Sequence, residues 1–206
     1  MEQEIATILL KVKAVTLRTY PPYRWVSGIL APIYTDNRIL MSYTRERKKI
    51  VNAFVKKIRD DDINPEVIAG IATSGIPFAA WIAQEMNLPM VYIKKKPKDY
   101  GKENLIEGKL NRNKRVLVVE DLISTGGSSL NGITAVRDAG AKADHIIAIF
   151  TYGLSIAEAN LAKANVQLHT LTNFNTLVNV AVKENYLSES EVSTVLEWAM
   201  DPGNWK

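Results

Sequence analysis

The sequence predicts an α/β domain on a mostly parallel central sheet, and three observations predict it. Apolar strand-like runs alternate with helix-like segments from residue 66 to residue 172. "RVLVVE" at 115–120 has almost no polar alternation, the pattern of a strand covered on both faces. Loops of small residues, 72–75 and 124–128, stand directly between a strand and a helix. Ligands of such sheets bind at the carboxyl ends of the strands, where these loops fall.

Taken in order, Ile5, Ile8, Leu9 and Val12 recur at helical spacing, so residues 2 to about 18 read as an amphipathic helix. "TYPPYRWVSGILAPIYTDNR" at 19–38 is rich in Pro, Gly and aromatics and reads as short strands and turns. Ser42 is placed to cap a helix that runs to about Arg59, with Ile50, Val51, Phe54, Val55 and Ile58 as its apolar face. The core then reads as a strand at 66–72, a helix at 75–86 with Pro77 near its start, and a strand at 90–94. After the 115–120 strand come a helix at 127–139 stopped by Gly140, a strand at 145–150, a helix at 155–164 and a strand at 166–171. Helices at 174–184 and 189–199 close the chain.

At 206 residues, 47% hydrophobic and 23% charged, the composition is that of an ordinary soluble domain. There is no cysteine, which excludes thiol catalysis, disulfides and thiolate metal sites and fits a cytoplasmic protein. "MEQEIATILLKVKAV" lacks a basic start before a long apolar stretch, so no signal peptide is expected. No apolar run approaches the roughly 18 residues of a membrane span. A net charge of +4 admits anionic ligands but does not point to nucleic acid.

Three loops carry the candidate chemistry. In "VVEDLISTGGSSL" (118–130), Glu120 and Asp121 end a strand just before Ser124, Thr125, Gly126, Gly127 and Ser128. Glycines let main-chain N–H groups approach an anion, and the following helix aims its N-terminal dipole at the same point. The carboxylates suit sugar hydroxyls or a water-bridged Mg²⁺ ion, so one loop can grip both ends of a sugar phosphate. It is neither a Walker loop nor a G-x-G-x-x-G turn, and a capped helix after a polar turn is the other reading. Thr73, Ser74 and Gly75 repeat the design, as a second anion site or a simple N-cap. "KKKPKDYGKENLIEG" (94–108) carries Lys94, Lys95, Lys96, Lys98 and Lys102 and reads as a solvated surface run or a phosphate-neutralising lid. His145 and His169, each with no second His nearby, read as structural, and Trp25, Trp81, Trp198 and Trp205 as packing.

"VLVVEDLISTGGSS" resembles the phosphoribosyl pyrophosphate (PRPP) motif of the type I phosphoribosyltransferases. "SGILAPIYTDNR" (27–38), "ATSGIPFAAW" (72–81), "KKKPKDYGKENLIEG" (94–108), "EDLISTGGS" (120–128) and "IFTYGL" (149–154) are similar, in order, to the orotate-specific bacterial branch. The resemblance implies that family's fold over one domain, 1–206: a helix and small hood (1–40), an α/β core (60–172) and a mobile basic lid (94–108). It implies that Glu120 and Asp121 contact the ribose hydroxyls of PRPP. Leu122, Ile123, Ser124, Thr125, Gly126, Gly127 and Ser128 would cradle its 5-phosphate, with Ser124 also reaching orotate. Ala72, Thr73, Ser74 and Gly75 would hold pyrophosphate, and Tyr34 would lie beside the base. Lys94, Lys95, Lys98 and Tyr100 would bind phosphate from the lid of a homodimer partner. Mg²⁺ would arrive on PRPP with no direct protein ligand, water-bridged at most to Asp121. Lys98 and Asp121 are the candidate catalytic residues, Lys98 for the leaving group and Asp121 for the proton. The expected activity is Mg-dependent orotate phosphoribosyl transfer in pyrimidine biosynthesis. A transferase for another base, or a PRPP-binding regulator without turnover, stands as the alternative. Three positions depart from the branch pattern: Lys94 for Arg, Tyr100 for His, and Leu30-Ala31-Pro32 for Lys-Ser-Pro.

Overall fold

The computed structural model describes residues 1–25, 28–94 and 105–205. Six strands form the central sheet: β5 (Val67–Ile71), β6 (Met90–Ile93), β7 (Ile106–Glu107), β8 (Arg115–Ile123), β9 (Lys142–Thr151) and β10 (Gln167–Asn173). Their order is β10-β9-β8-β5-β6-β7, parallel throughout except for the antiparallel edge pair β6/β7. The helices are α1 (Glu2–Lys11), α2 (Thr44–Asp60), α3 (Gly75–Met86), α4 (Gly127–Asp138), α5 (Ser155–Lys163), α6 (Phe174–Lys183) and α7 (Glu189–Met200).

Period-two alternation divides the interior into two layers. Leu117, Val119, Ile147 and Ile149 face a core shared with Leu9, Phe54, Ile58, Phe78, Ile82 and Leu177. Val116, Val118, Ile146 and Ala148 face the other side, with Ile133, Val136, Ala157 and Leu161. Because both faces are covered, β5 is buried at every position, which is why the strands read as unbroken apolar runs. A Cβ on Gly70 would come within 2.9 Å of the Ala79 Cβ, so this glycine lets α3 lie close against β5.

The N-terminal segment adds two small antiparallel pairs, β1 (Val15–Leu17) with β4 (Ile33–Thr35) and β2 (Tyr23–Arg24) with β3 (Leu30–Ala31). A 3-10 helix, Asn37–Ser42, leads into α2. α7 closes over this hood. Trp198 is fully buried, with its ring 5.5 Å from Trp25 and 5.5 Å from Tyr152. Its indole N–H donates to the Leu30 carbonyl at 3.1 Å.

Several expectations need correction. The first helix ends at Lys11, not near 18, and Lys13 turns the chain with φ 59°. Val15 to Leu17 instead pair with Ile33 to Thr35, and this tertiary pairing overrides the helical spacing. Ser42 caps nothing: it ends the 3-10 helix, and Tyr43 precedes α2 without a side-chain cap. Asp36 does the capping one element earlier, accepting from the Arg38 N–H at 3.2 Å. The third strand of the core runs to Ile123, three residues beyond its apolar stretch, because β9 pairs with it past the acids. The histidines are not isolated. On adjacent strands, His145 Nδ1 lies 3.1 Å from His169 Nε2, and His169 Nδ1 lies 2.6 Å from Asp61 Oδ2. Among the described residues, no helix is long and apolar enough to cross a membrane.

Trp198 joins α7, the hood and the core, so its loss should be felt globally. Trp198→Ala is expected to lower unfolding free energy by about 3–5 kcal/mol, the usual cost of deleting a buried indole, as read by denaturant titration.

Candidate active site

The acid pair sits near the carboxyl end of β8. Glu120 is buried, and its Oε1 accepts the Asp121 N–H at 3.2 Å. Burial pushes the Asp121 carboxyl above the ordinary aspartate range, opposed by hydrogen bonding with Glu120 and its own backbone and by the Arg38 charge. A carboxyl held this way keeps a proton at higher pH than a free one, which suits a group that handles a proton. The Asp121 carbonyl accepts a 2.8 Å hydrogen bond from the Asn37 side chain, which is wholly buried.

Two loops flank the pair. After β5, residues 72–75 turn into α3, and the Ala72–Thr73 peptide is cis. The loop presses on β8: a Cβ on Gly75 would stand 2.3 Å from the Val119 carbonyl oxygen. After β8, Gly126 takes φ 79°, a left-handed turn that favours glycine, and starts α4. Neither α3 nor α4 has a side-chain cap bond at its N-cap residue. Their first N–H groups and positive dipole ends stand beside the acid pair. The Asn160 amide donates to the Thr125 carbonyl at 3.3 Å, tying the second loop to α5.

A cavity of about 240 Å³ joins these parts. It is lined by Ala72, Thr73, Ser74, Glu120, Asp121, Leu122 and Ser128, all expected from the sequence, and also by Thr35, Asp36 and Arg38, which were not. A neighbouring cavity of about 320 Å³ shares Ser128 and is lined by Lys94, Leu105 and Asn131 among others. Lys94 is paired there with Glu107 at 2.9 Å. Ile123 is buried, Gly75 lies beneath its loop, and Ser124 to Gly127 form the turn without lining the first cavity. Tyr34 does not line it either; its exposed ring lies 5.7 Å from that of Tyr23. Lys95, Lys98 and Tyr100 lie outside the described residues.

The unexpected contributors all come from "TDNR", the end of the 27–38 motif. That motif was the available signal, but its short polar residues read equally well as a turn. Arg38 grips Asp36 with two bonds, Nε to Oδ1 at 2.7 Å and Nη2 to Oδ2 at 2.8 Å. The Asp36 carboxyl is lowered first by that hydrogen bond, against its partial burial. Tyr152, from "IFTYGL", is buried and donates its hydroxyl to Thr35 Oγ1 at 3.0 Å.

The donors around the acids are carboxylate, hydroxyl and carbonyl oxygens, the set a hard divalent cation prefers. Among the described residues no group of three His, Cys, Asp or Glu side chains could hold a metal alone. The oxygen donor set fits Mg²⁺, and Glu120 and Asp121 are the residues that would meet it.

The Phosphoribosyl transferase domain family matches residues 42–185. A protein of Coxiella burnetii named orotate phosphoribosyltransferase is 47% identical over 203 residues, covering 98% of this chain and 97% of that one. One of the same name from Listeria monocytogenes is 44% identical over 205 residues, 100% of this chain and 98% of the other. Among solved structures, UMP synthase of Leishmania donovani superposes with TM-score 0.81 at 26% identity. That match covers 96% of this chain but 42% of the Leishmania chain, so this chain spans less than half of it. Orotate phosphoribosyltransferase of Aeropyrum pernix gives TM-score 0.77 at 25% identity, over 89% of this chain and 99% of that one.

The close approach of Gly75 to β8 generates a sharp contrast. Gly75→Ala must displace the 72–75 loop from the Val119 carbonyl, and the melting temperature should fall by several degrees, as for an overpacking cost of about 1–3 kcal/mol. A Cβ on Gly127 meets only Thr125 Oγ1 at 3.9 Å, so Gly127→Ala should leave the melting temperature nearly unchanged.

Proposed function

This chain belongs to the phosphoribosyltransferase family, and we propose that it transfers the 5-phosphoribosyl group of PRPP to N1 of orotate, giving orotidine 5′-monophosphate and pyrophosphate. The observation that carries this reading is the cavity that sets two carboxylates between two helix N-termini. Sugar hydroxyls suit the carboxylates and phosphates suit the helix ends. The near full-length relatives named orotate phosphoribosyltransferase supply the base. The same reading makes 1–206 one domain and the cytoplasm its compartment, the latter supported by a cysteine-free chain.

In the proposed reaction the bond from C1 to the pyrophosphate oxygen breaks as N1 of orotate bonds to C1, and the N1 proton passes to the Asp121 carboxylate. No protein nucleophile is needed. Glu120 and Asp121 hold the ribose hydroxyls, and the 124–128 turn receives the 5-phosphate through main-chain N–H groups. The 72–75 loop takes the departing pyrophosphate. Magnesium bound with PRPP supplies positive charge to the leaving group, and Glu120 and Asp121 are the oxygen donors that would meet it through water. Lys94, Lys95 and Lys98 add charge from the lid, and Lys98 assists the leaving group. Closure of the lid excludes water that would otherwise hydrolyse the sugar. A homodimer that shares the lid across its interface completes the proposal.

Incubation with PRPP, Mg²⁺ and each of orotate, uracil, guanine, hypoxanthine and adenine should release pyrophosphate with orotate alone. Release with another base instead would move the assignment to that base, and PRPP binding without release would make the protein a regulator.

Lys98→Ala should lower kcat by on the order of 10²-fold, as for loss of a transition-state donor. Mixing Lys98→Ala with Asp121→Ala subunits should restore part of the activity. Failure to restore any would place each site within one chain.

A further inference from the structure

The cavity that holds the acid pair has an unusual charge balance for the ligand proposed above. Asp36, Glu120 and Asp121 line it, and among the described lining residues Arg38 is the single cation. Orotate carries a carboxylate on the carbon next to N1, the nitrogen that attacks C1 of the ribose. That carboxylate must therefore settle close to the reacting centre, in the same space as the ribose and its acids. Glu120 and Asp121 offer it no donor side chain, so it needs a donor with a free hydrogen-bonding edge on that wall.

Other hood cations are engaged elsewhere. The Arg18 guanidinium lies 4.2 Å from the centre of the Tyr23 ring, and Arg24 donates to the Gly28 carbonyl at 3.2 Å. Neither lines the cavity. Lys94 is paired with Glu107 and lines the adjacent cavity. Arg38 differs from all three. Asp36 takes its Nε and one Nη2 hydrogen and fixes the plane of the guanidinium. Of five N–H donors this uses two, so Nη1 and the second Nη2 hydrogen form an open edge that matches a carboxylate. The side chain is 57% exposed, as a group reached by a ligand must be.

We infer that Arg38, held in plane by Asp36, receives the carboxylate of the base and sets the preference for orotate over uncharged pyrimidines. The inference rests on the orotate reading, and it adds the residue that makes the carboxylate a requirement. An analogue without the carboxylate forfeits the charge-assisted, two-bond contact with the open guanidinium edge, while orotate keeps it.

The experiment measures Arg38→Gln and Arg38→Lys beside the wild type, with steady-state turnover of orotate and of uracil, direct PRPP binding and melting temperature. Arg38→Gln is expected to raise the KM for orotate by on the order of 10²-fold and to erode the orotate-to-uracil preference by a similar factor. PRPP affinity should change by no more than about threefold. Arg38→Lys keeps the charge but loses the planar fork, so its KM should fall between the two. An unchanged orotate KM in Arg38→Gln overturns the inference, as does a parallel loss of PRPP binding and thermal stability in both variants, which would make Arg38 a structural clamp. Wild-type protein that does not turn over orotate would overturn the proposed function as well; wild-type turnover with indifferent Arg38 variants would overturn this inference alone.

Discussion

The hydrogen bond from the Asn37 side chain to the Asp121 carbonyl joins the two halves of the site. It spans 84 residues of sequence and is part-buried, with the Asn37 side chain wholly enclosed. Its net contribution to stability is about 1 kcal/mol, but breaking it would leave a buried carbonyl unpaired at a cost of about 1–3 kcal/mol. Its larger effect is geometric. With Asn37 fixed on β8, Thr35 on one side meets the Tyr152 hydroxyl and Arg38 on the other faces the acid pair. The hood is therefore registered to the reacting end of the sheet by side chains of "TDNR", while Trp198 holds it from behind.

That registration explains how acids and an anion cradle share one loop. Glu120 and Asp121 are still strand residues, held by pairing with β9, and point into the cavity before the chain turns. Gly126 then reverses the backbone, so the N–H groups of α4 open beyond the acids rather than among them. α3 brings a second helix N-terminus, and Gly75 lets it come close. Each helix end carries about half a positive charge, which offsets part of the desolvation of two neighbouring carboxyls. The carboxylates and the two helix ends thus stabilise one another in the folded chain instead of competing.

How much of this could be read beforehand depended on range. The limits of α3 and the start of α4 were legible, because Pro77 and the glycines act within one turn of themselves. The acid pair and both small-residue loops were legible for the same reason. The early end of α1 was not, since Val15 to Leu17 are decided by strand partners about twenty residues away. Nor was the meeting of His145 with His169, which depends on β9 and β10 being neighbours in the sheet. Arg38 lies within a recognisable motif, but nothing local shows which way a hood residue faces.

The same long-range view changes the meaning of Leu30 and Ala31. Read along the chain, they remove a charge and a hydroxyl from the base side. In the fold Ala31 is completely buried in the main core, and the Leu30 carbonyl takes the Trp198 indole hydrogen. Neither lines the cavity with the acid pair, and the Ala31 side chain serves packing behind the hood. The polar character of that wall rests instead on Thr35, Asp36 and Arg38, one hydroxyl, one anion and one cation. Because Asp36 already neutralises much of the Arg38 charge, an approaching anion gains little from net attraction. What it gains is the free edge of a planar donor held in place, and such an edge discriminates by shape and hydrogen-bond direction more than by charge. A guanidinium plane fixed by two bonds to Asp36 would select one placement of a carboxylate beside the ribose by hydrogen-bond direction.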